Sequence, residues 1–389
     1  GLIEADNKPR ESEINGFDAN VKVTTYFDNH SELNYGVEFT GFKTAYQYYN
    51  FIGILQEQND YTTQIGAFVK LKKNFGERFV LEPGVRIQYY ASLPVTRLEP
   101  RLAMKLNVTE KVRLKAAAGM YSQNIISSKS DRDIVNFFTG FLTAPDFEIQ
   151  NPDGTYANNN IQKAYHIIGG IEVDVNDLEF TVEPWYKYFG QLITINRYKL
   201  FPTDPDFSIE TGKAYGVDFT TKYTKGRYYF WGVYSYGYVD RNDGRQTYPT
   251  PFDRRHNINL LASYTAGKKY DWEFSIRFNY GSAFPFTQTQ AFYENMDFNN
   301  GISTNYLTQN GNLGIVYADK INGGRLSDYH RMDISMKKKF AISKTSSLDA
   351  LGSISNVYNQ QNIFYIDRVR NTREYQLPIF PSLGLSWNF

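Results

Sequence analysis

Tyr270-Asp-Trp-Glu-Phe-Ser-Ile-Arg-Phe-Asn-Tyr280 alternates without a break. Tyr270, Trp272, Phe274, Ile276, Phe278 and Tyr280 fall on one side of an extended chain, and Asp271, Glu273, Ser275, Arg277 and Asn279 on the other. Successive side chains of a strand point to opposite faces, so a period of two marks a strand with one apolar and one polar face. Working outward, the stretch after Gly212 sets Tyr215, Val217, Phe219 and Tyr223 against Gly216, Asp218, Thr220 and Lys222. Between Leu178 and Tyr188, Phe180, Val182, Tyr186 and Tyr188 oppose Glu179, Thr181, Glu183 and Lys187. About fifteen such segments follow one another: near 17–27, 31–44, 61–73, 78–90, 97–107, 111–124, 162–175, 178–190, 213–224, 227–240, 256–265, 269–283, 329–340, 347–358 and 379–389. Those near 227–240 and 347–358 alternate poorly and rest on length and position. Most segments have about 11 to 15 residues, whereas strands of soluble proteins typically have about 5 or 6.

Composition narrows the class. The 389 residues hold 42 basic and 41 acidic side chains, a net charge of +1. That balance lacks the basic excess of a nucleic-acid binder and argues against a disordered acidic tail. No cysteine is present, so disulfides, thiolate metal sites and cysteine nucleophiles are excluded. The four histidines, His30, His166, His256 and His330, are scattered and not at ligand spacing, so no metal site is expected. The chain is polar on average yet carries 32 Tyr and 29 Phe. No run approaches the roughly 18 apolar residues of a spanning helix.

The gaps between segments are informative. Asp28–Glu32, Asn74–Glu77, Thr109-Glu110, Asn176-Asp177, Lys225-Gly226 and Ala266–Lys268 are short. They alternate with 45–60, 125–161, 191–212, 241–255, 284–328 and 359–378, which are long, and only the gap at Ser92–Val95 breaks the rule. Asn-Asp, Lys-Gly and Ala-Gly suit the positive φ of tight hairpins. Tight turns at one end and long loops at the other describe an antiparallel transmembrane β-barrel with periplasmic turns and extracellular loops. Backbone groups in lipid must all be paired, which forces such a sheet to close.

The apolar face should then meet outer-membrane lipid, with Tyr and Trp forming girdles at the strand ends. A Lys or Arg on that face at mid-depth costs about 2–4 kcal/mol. Glu82, Arg86, Glu99, Arg101, Lys105, Arg113, Glu179, Glu183, Arg277 and Asp333 are therefore expected to face the lumen or a plug within it. Pro83, Pro100 and Pro184 each follow a Glu inside a strand and forfeit a ladder hydrogen bond, which predicts a bulge or strand end at each. Gly237 and Gly281, isolated within strands, predict a close approach from the lumen or a neighbouring chain. Fifteen is odd, whereas bacterial single-chain barrels have an even strand number. The expectation is that residues 1–16 are the tail of a surface loop and 17–389 the C-terminal portion of a larger barrel. Fifteen is what a 22-stranded barrel leaves after its first seven strands, and about 22 is the size of plugged transporters.

Several motifs resemble one family. Arg97-Leu-Glu-Pro-Arg-Leu102, Leu114–Gln123, Gly212-Lys-Ala-Tyr-Gly-Val-Asp218, Pro251-Phe-Asp-Arg-Arg-His-Asn257 and Arg325–Ser335 are similar in order and spacing to segments of the TonB-dependent outer-membrane receptors. The resemblance spans roughly residues 15–389. It implies a 22-stranded barrel, an N-terminal plug with a short box engaging TonB, and import of a scarce, bulky solute in a gram-negative outer membrane. Neither plug nor box lies in this sequence. The ending Pro381–Phe389 resembles the terminal strand read by the barrel-assembly machinery, with Trp387 and Phe389 as its signal. A surface lipoprotein or another outer-membrane subunit is a further partner such receptors admit.

Candidate ligand-binding residues lie on the long loops and their bases: Tyr46, Tyr48, Tyr49, Gln123, Asp131, Arg132, Asp133, Arg241, Asp253 and Arg254. Long loops on a rigid scaffold usually carry function. The tyrosines could stack on sugar rings, or serve as girdle residues. His256, beside Asp253 and Arg254, reads as a hydrogen-bonding rim residue more readily than as a proton-transfer or metal group. Loop composition leans toward a neutral polar solute. No G-x-S-x-G elbow, P-loop or dinucleotide glycine pattern occurs between a strand and a helix, so neither an enzyme nor a cofactor is expected. Two other readings remain: a non-transporting structural or assembly subunit of an outer-membrane complex, and a secreted β-sandwich or propeller adhesin. The second does not account for strands this long.

Overall fold

The computed structural model describes residues 11–28, 31–49, 55–129, 139–295, 312–343 and 345–389. Fifteen strands form one antiparallel sheet in strict chain order. They are β1 (Glu11–Asp28), β2 (Ser31–Tyr49), β3 (Leu55–Phe75), β4 (Phe79–Tyr90), β5 (Val95–Asn107), β6 (Val112–Gln123), β7 (Gln162–Val175), β8 (Leu178–Ile195), β9 (Phe207–Lys225), β10 (Tyr228–Asn242), β11 (His256–Ala266), β12 (Trp272–Gly281), β13 (Tyr329–Ala341), β14 (Ser347–Ser355) and β15 (Phe380–Asn388). Every one coincides with a segment read from the sequence. Among the described residues, β1 and β15 are each paired on one side only.

The short connections turn as their residues dictate. Gly76, Asn176, Gly226 and Gly267 adopt φ of 62°, 53°, 57° and 87°, the left-handed region that Gly and Asn enter most readily. Tyr270 departs from expectation: with φ of 56° it belongs to the turn, and β12 starts two residues later at Trp272. Arg227 lies 4.8 Å from the centre of its ring. The long connections carry small structures of their own. Ile125–Lys129 pairs with Thr139–Thr143, Thr289–Asn295 with Asn312–Tyr317, and Ile363–Asp367 with Thr372–Tyr375.

Five strands exceed their expected lengths by five or more residues, chiefly at the long-loop end. β3 has 21 residues, β2 and β9 have 19, and β1 and β8 have 18. A membrane crossing needs about 9–11 tilted residues, so these strands project well beyond it. The growth of β1 brings residues 11–16 into register with 42–47 of β2. Buried residues collect here: Tyr46, Ile193, Phe207 and Ile209 of these projections cluster with Ile126, Leu142 and Ile149 of the connection that follows β6. Along the wall, outward side chains stay exposed, among them Phe17 at 62%, Leu98 at 60% and Ile167 at 57%.

The prolines correct one expectation. At Pro83 and Pro184 there is no bulge. Pairing resumes in the same register after two unpaired residues, from Lys73↔Leu81 to Lys70↔Gly84 and from Val182↔Ile171 to Trp185↔Ile168. The missing donor removes one link of the ladder, while the other edge of each proline residue stays paired, Pro83 with Leu102 and Pro184 with Val217. Pro100 does end a ladder, since β5 pairs with β6 only from Arg101 onward. There the Glu99 carboxylate accepts the Ser122 N–H at 2.7 Å, replacing the lost backbone acceptor. Gly237 and Gly281 are resolved within the chain. A Cβ on Gly237 would meet the Trp185 ring at 3.2 Å, and one on Gly281 would strike the Arg254 guanidinium at 2.3 Å.

Candidate ligand-binding site

A cavity of about 590 Å³ opens at the long-loop end of the sheet. Arg197 and Tyr198 lie just beyond the upper end of β8, Arg241 is the penultimate residue of β10, and the tight turn after β10 supplies Arg245. Thr247–Pro249 folds back along β10 and places Tyr248 beside it. Tyr48 enters from β2, with Phe252, Tyr293 and Tyr317 from the connections.

Behind the wall stands Glu210, only 1% exposed. The Tyr248 hydroxyl donates to Glu210 Oε1 at 2.7 Å and accepts from Arg197 Nη2 at 2.9 Å. Arg197 and Arg241 approach the same carboxylate at 3.7 and 3.6 Å, beyond hydrogen-bonding length. One buried anion thus stands behind two arginines. Arg245 stacks on Tyr198, its guanidinium carbon 4.1 Å from the ring centre. Tyr198 donates to Asp243 Oδ2 at 2.7 Å. Burial, and then this bond to an anion, push the Tyr198 hydroxyl up to about 12. Burial works against the Asp243 carboxylate, but the N–H groups of Gln246 and Arg245 and the Tyr198 hydroxyl outweigh it and hold Asp243 below its ordinary range. Tyr248 is driven above the ordinary tyrosine value, chiefly by burial. Both tyrosines stay neutral donors at any physiological pH.

The structure brings some expected residues to this place and not others. Tyr48 and Arg241 line the cavity. Tyr46 is buried, with its hydroxyl 3.0 Å from Ser128 Oγ, and Tyr49 closes β2. Gln123 donates to the Ile125 carbonyl at 2.6 Å. Asp253, with no exposed surface, accepts from Arg255 at 2.8 Å, Arg325 at 2.7 Å and the Val239 N–H at 3.0 Å, binding two connections together. Arg254 lies 4.1 Å from the Phe284 ring centre. Asp131, Arg132 and Asp133 lie outside the described residues. His256 meets the Tyr234 hydroxyl at 2.9 Å.

The charges of the polar face pair across strands or with a same-face neighbour two residues along the same strand. Arg86 meets Glu38 at 2.9 Å, Glu82 meets Lys70 at 3.1 Å, and Glu99 meets Arg101 at 2.8 Å. Arg113 bridges Glu172 and Asp174. Glu179 stands 3.4 Å from Lys222, and Asp333 2.7 Å from Arg331. Lys105 and Glu183 border one shallow depression floored by Ala116, Ala117 and Gly169, and Arg277 borders another. On β15, Trp387 is 64% exposed, and beyond it Phe389 is 98% exposed.

Arg197, Tyr198, Glu210, Arg245 and Tyr248 escaped the sequence reading. The alternation of Phe207 and Ile209 could have extended β9 to include Glu210. Nothing local marks which loop arginines converge.

The model of the TonB-dependent receptor-like β-barrel matches residues 5–359. The chain belongs to this family. The architecture agrees with solved receptors at low identity. Against the ferripyoverdine receptor of the outer membrane of Pseudomonas aeruginosa, bound to ferripyoverdine, the TM-score is 0.65 with 13% identity, covering 97% of this chain and 48% of that one. The ferric enterobactin receptor of the same organism gives 0.62 and 13%, covering 97% and 54%. The FrpB iron transporter of Neisseria meningitidis gives 0.60 and 13%, covering 98% and 56%. The chain therefore spans about half the length of these receptors. A search of curated proteins finds no sequence match. The family and these neighbours are receptors and transporters of gram-negative outer membranes.

Proposed function

We propose that this TonB-dependent receptor barrel sits in the outer membrane of a gram-negative bacterium, binds a bulky solute in the loop-end cavity, and imports it when joined to its plug. The observation that carries the reading is that cavity: about 590 Å³, ringed by arginine and tyrosine from strand ends and the connections between them. Residues 17–389 act as barrel wall, with the lipid-facing apolar side outward. Glu82, Arg86, Glu99, Arg101, Lys105, Arg113, Glu179, Glu183, Arg277 and Asp333 contact the plug or line the lumen. Paired charges of both signs give a plug polar contacts, and single pairs exposed to water are weak enough to exchange, about 0–1 kcal/mol each. TonB acts through the plug, and Trp387 and Phe389 present the terminal strand to the assembly machinery. A surface lipoprotein covering the loops is compatible with this arrangement.

Sequencing the gene upstream of the Gly1 codon tests import. A plug domain preceded by a TonB-engaging segment is expected. Upstream barrel strands with neither would leave a structural subunit instead.

A further inference from the structure

We infer that the tight-turn end of the wall at β10–β13 binds the phosphate headgroup of an anionic phospholipid. The inference goes beyond solute import and rests on the receptor reading only in placing this end at a phospholipid leaflet. Three stretches of chain meet there. Arg227 directly precedes β10, Lys268, Lys269 and Tyr270 turn between β11 and β12, and Lys338 lies near the end of β13. The backbone holds them together: the Thr265 N–H donates to the Arg227 carbonyl at 2.9 Å, and the Lys339 N–H to the Asp271 carbonyl at 2.8 Å. Trp272 is the register partner of Lys338.

Cations here lie on aromatic rings. The Arg227 guanidinium is 4.8 Å from the centre of the Tyr270 ring, and the Lys338 ammonium is 4.6 Å from that of Trp272 and 5.7 Å from that of Phe340. Trp272 stacks on Phe274 of the outward apolar face, so the patch continues the lipid-facing wall. Long cationic side chains at such a border lay their stems on apolar surface and keep their heads at the polar level, where Tyr and Trp also gather. The charge is largely uncompensated. Lys338 pairs with Asp271, but among the described residues no carboxylate forms an ion pair with Arg227, Lys268 or Lys269. Elsewhere at this end acids accompany the bases: Glu77 precedes Arg78, Glu110 precedes Lys111, and Asp177 pairs with Lys225 at 3.3 Å. The backbone supplies an independent observation. Tyr270 holds φ of 56° with 61% of its surface exposed, whereas every other described residue in the left-handed region is Gly or Asn. A bulky side chain in that region is strained, and such strain gathers at functional sites. Tyr270 contributes the ring on which Arg227 rests.

The test titrates the full receptor in neutral detergent with dioleoyl phosphatidylglycerol or, in parallel, zwitterionic dioleoyl phosphatidylcholine, and follows retained lipid by native mass spectrometry. Each cation near an anionic headgroup is worth about fivefold in affinity. Three uncompensated cations therefore favour phosphatidylglycerol on the order of a hundredfold. Arg227→Gln should lose about fivefold of that preference, and Lys268→Gln combined with Lys269→Gln about twentyfold. Tyr270→Gly should fold as wild type, because Gly accepts positive φ without strain, yet lose as much as Arg227→Gln. Lys111→Gln, at another tight turn, should retain lipid as wild type does. Heat-modifiable gel mobility confirms that each variant is folded. Equal retention of the two lipids, retention unchanged in the Arg227 and paired lysine variants, or an equal loss in Lys111→Gln would overturn the site. Inorganic phosphate bound as tightly as the lipid would overturn the phospholipid assignment. That failure is separable from failure of the import reading: a receptor with plug and box that retains both lipids equally loses only the headgroup site, and a barrel without them that retains phosphatidylglycerol loses only import.

Discussion

Tyr198 and Asp253 show how single residues hold the loop end. Each sits in a connection and each owes its state to partners from another stretch of chain. The Tyr198 hydroxyl ionises near 12 because burial and its bond to Asp243 both oppose a phenolate, whereas an unfolded tyrosine ionises near about 10. With the folded value raised, the contribution of Tyr198 to stability is intact below about pH 10 and is lost as pH rises toward 12. The difference in tyrosinate absorbance between wild type and Tyr198→Phe should therefore titrate near pH 12. A difference that titrates near pH 10 would mean that the Tyr198–Asp243 bond is not formed in solution. Asp253 was expected to contact ligand. Its three donors instead make it a tie between the 243–255 and 282–328 connections.

At the scale of the element, alternation sets which side chains share a face, and glycine sets how closely a large one can lie. Trp185 lies over two neighbouring strands because Gly216 and Gly237 leave the wall bare beneath it. A Cβ at Gly216 would stand 2.8 Å from the Trp185 ring and 2.4 Å from the Tyr236 carbonyl oxygen. Gly216→Val should destabilise the barrel by about 1–3 kcal/mol, the usual range for overpacking, and shift Trp185 fluorescence. Urea unfolding in detergent reads the first effect, and an unchanged midpoint would disprove the seat. The Glu-Pro pairs obey another rule of elements. A strand absorbs a proline by dropping ladder links on one edge only, keeping its register, so the face pattern on either side survives.

For the whole molecule, the two faces of the wall meet different solvents. Ile167 and Ile168 are adjacent, but Ile167 is paired with the outward Tyr186, and Ile168 borders the inner depression beside Glu183. Ile167→Lys should cost about 2–4 kcal/mol of folding stability in a bilayer, as a cation on the lipid face near mid-depth does. Ile168→Lys should cost much less. Equilibrium refolding into phospholipid vesicles compares them, and equal losses would mean that the sheet does not separate lipid from lumen at this level.

All fifteen strands, their order and their tight turns could be read from the chain, because period two, Gly and Asn at positive φ, and a proline's missing donor are properties of neighbouring residues. Strand length at the loop end was underread. There Gln56–Asp60 is polar at every position and offers no apolar face to read, and Phe207–Thr211 alternates over only two apolar residues. The cavity itself belongs to the tertiary structure. Arg197, Glu210, Arg241, Arg245 and Tyr248 come from two strands' ends and two connections, and no local spacing records that they meet. Backbone pairing is dictated residue by residue, whereas the convergence of side chains at a barrel rim depends on the register of the entire sheet beneath them.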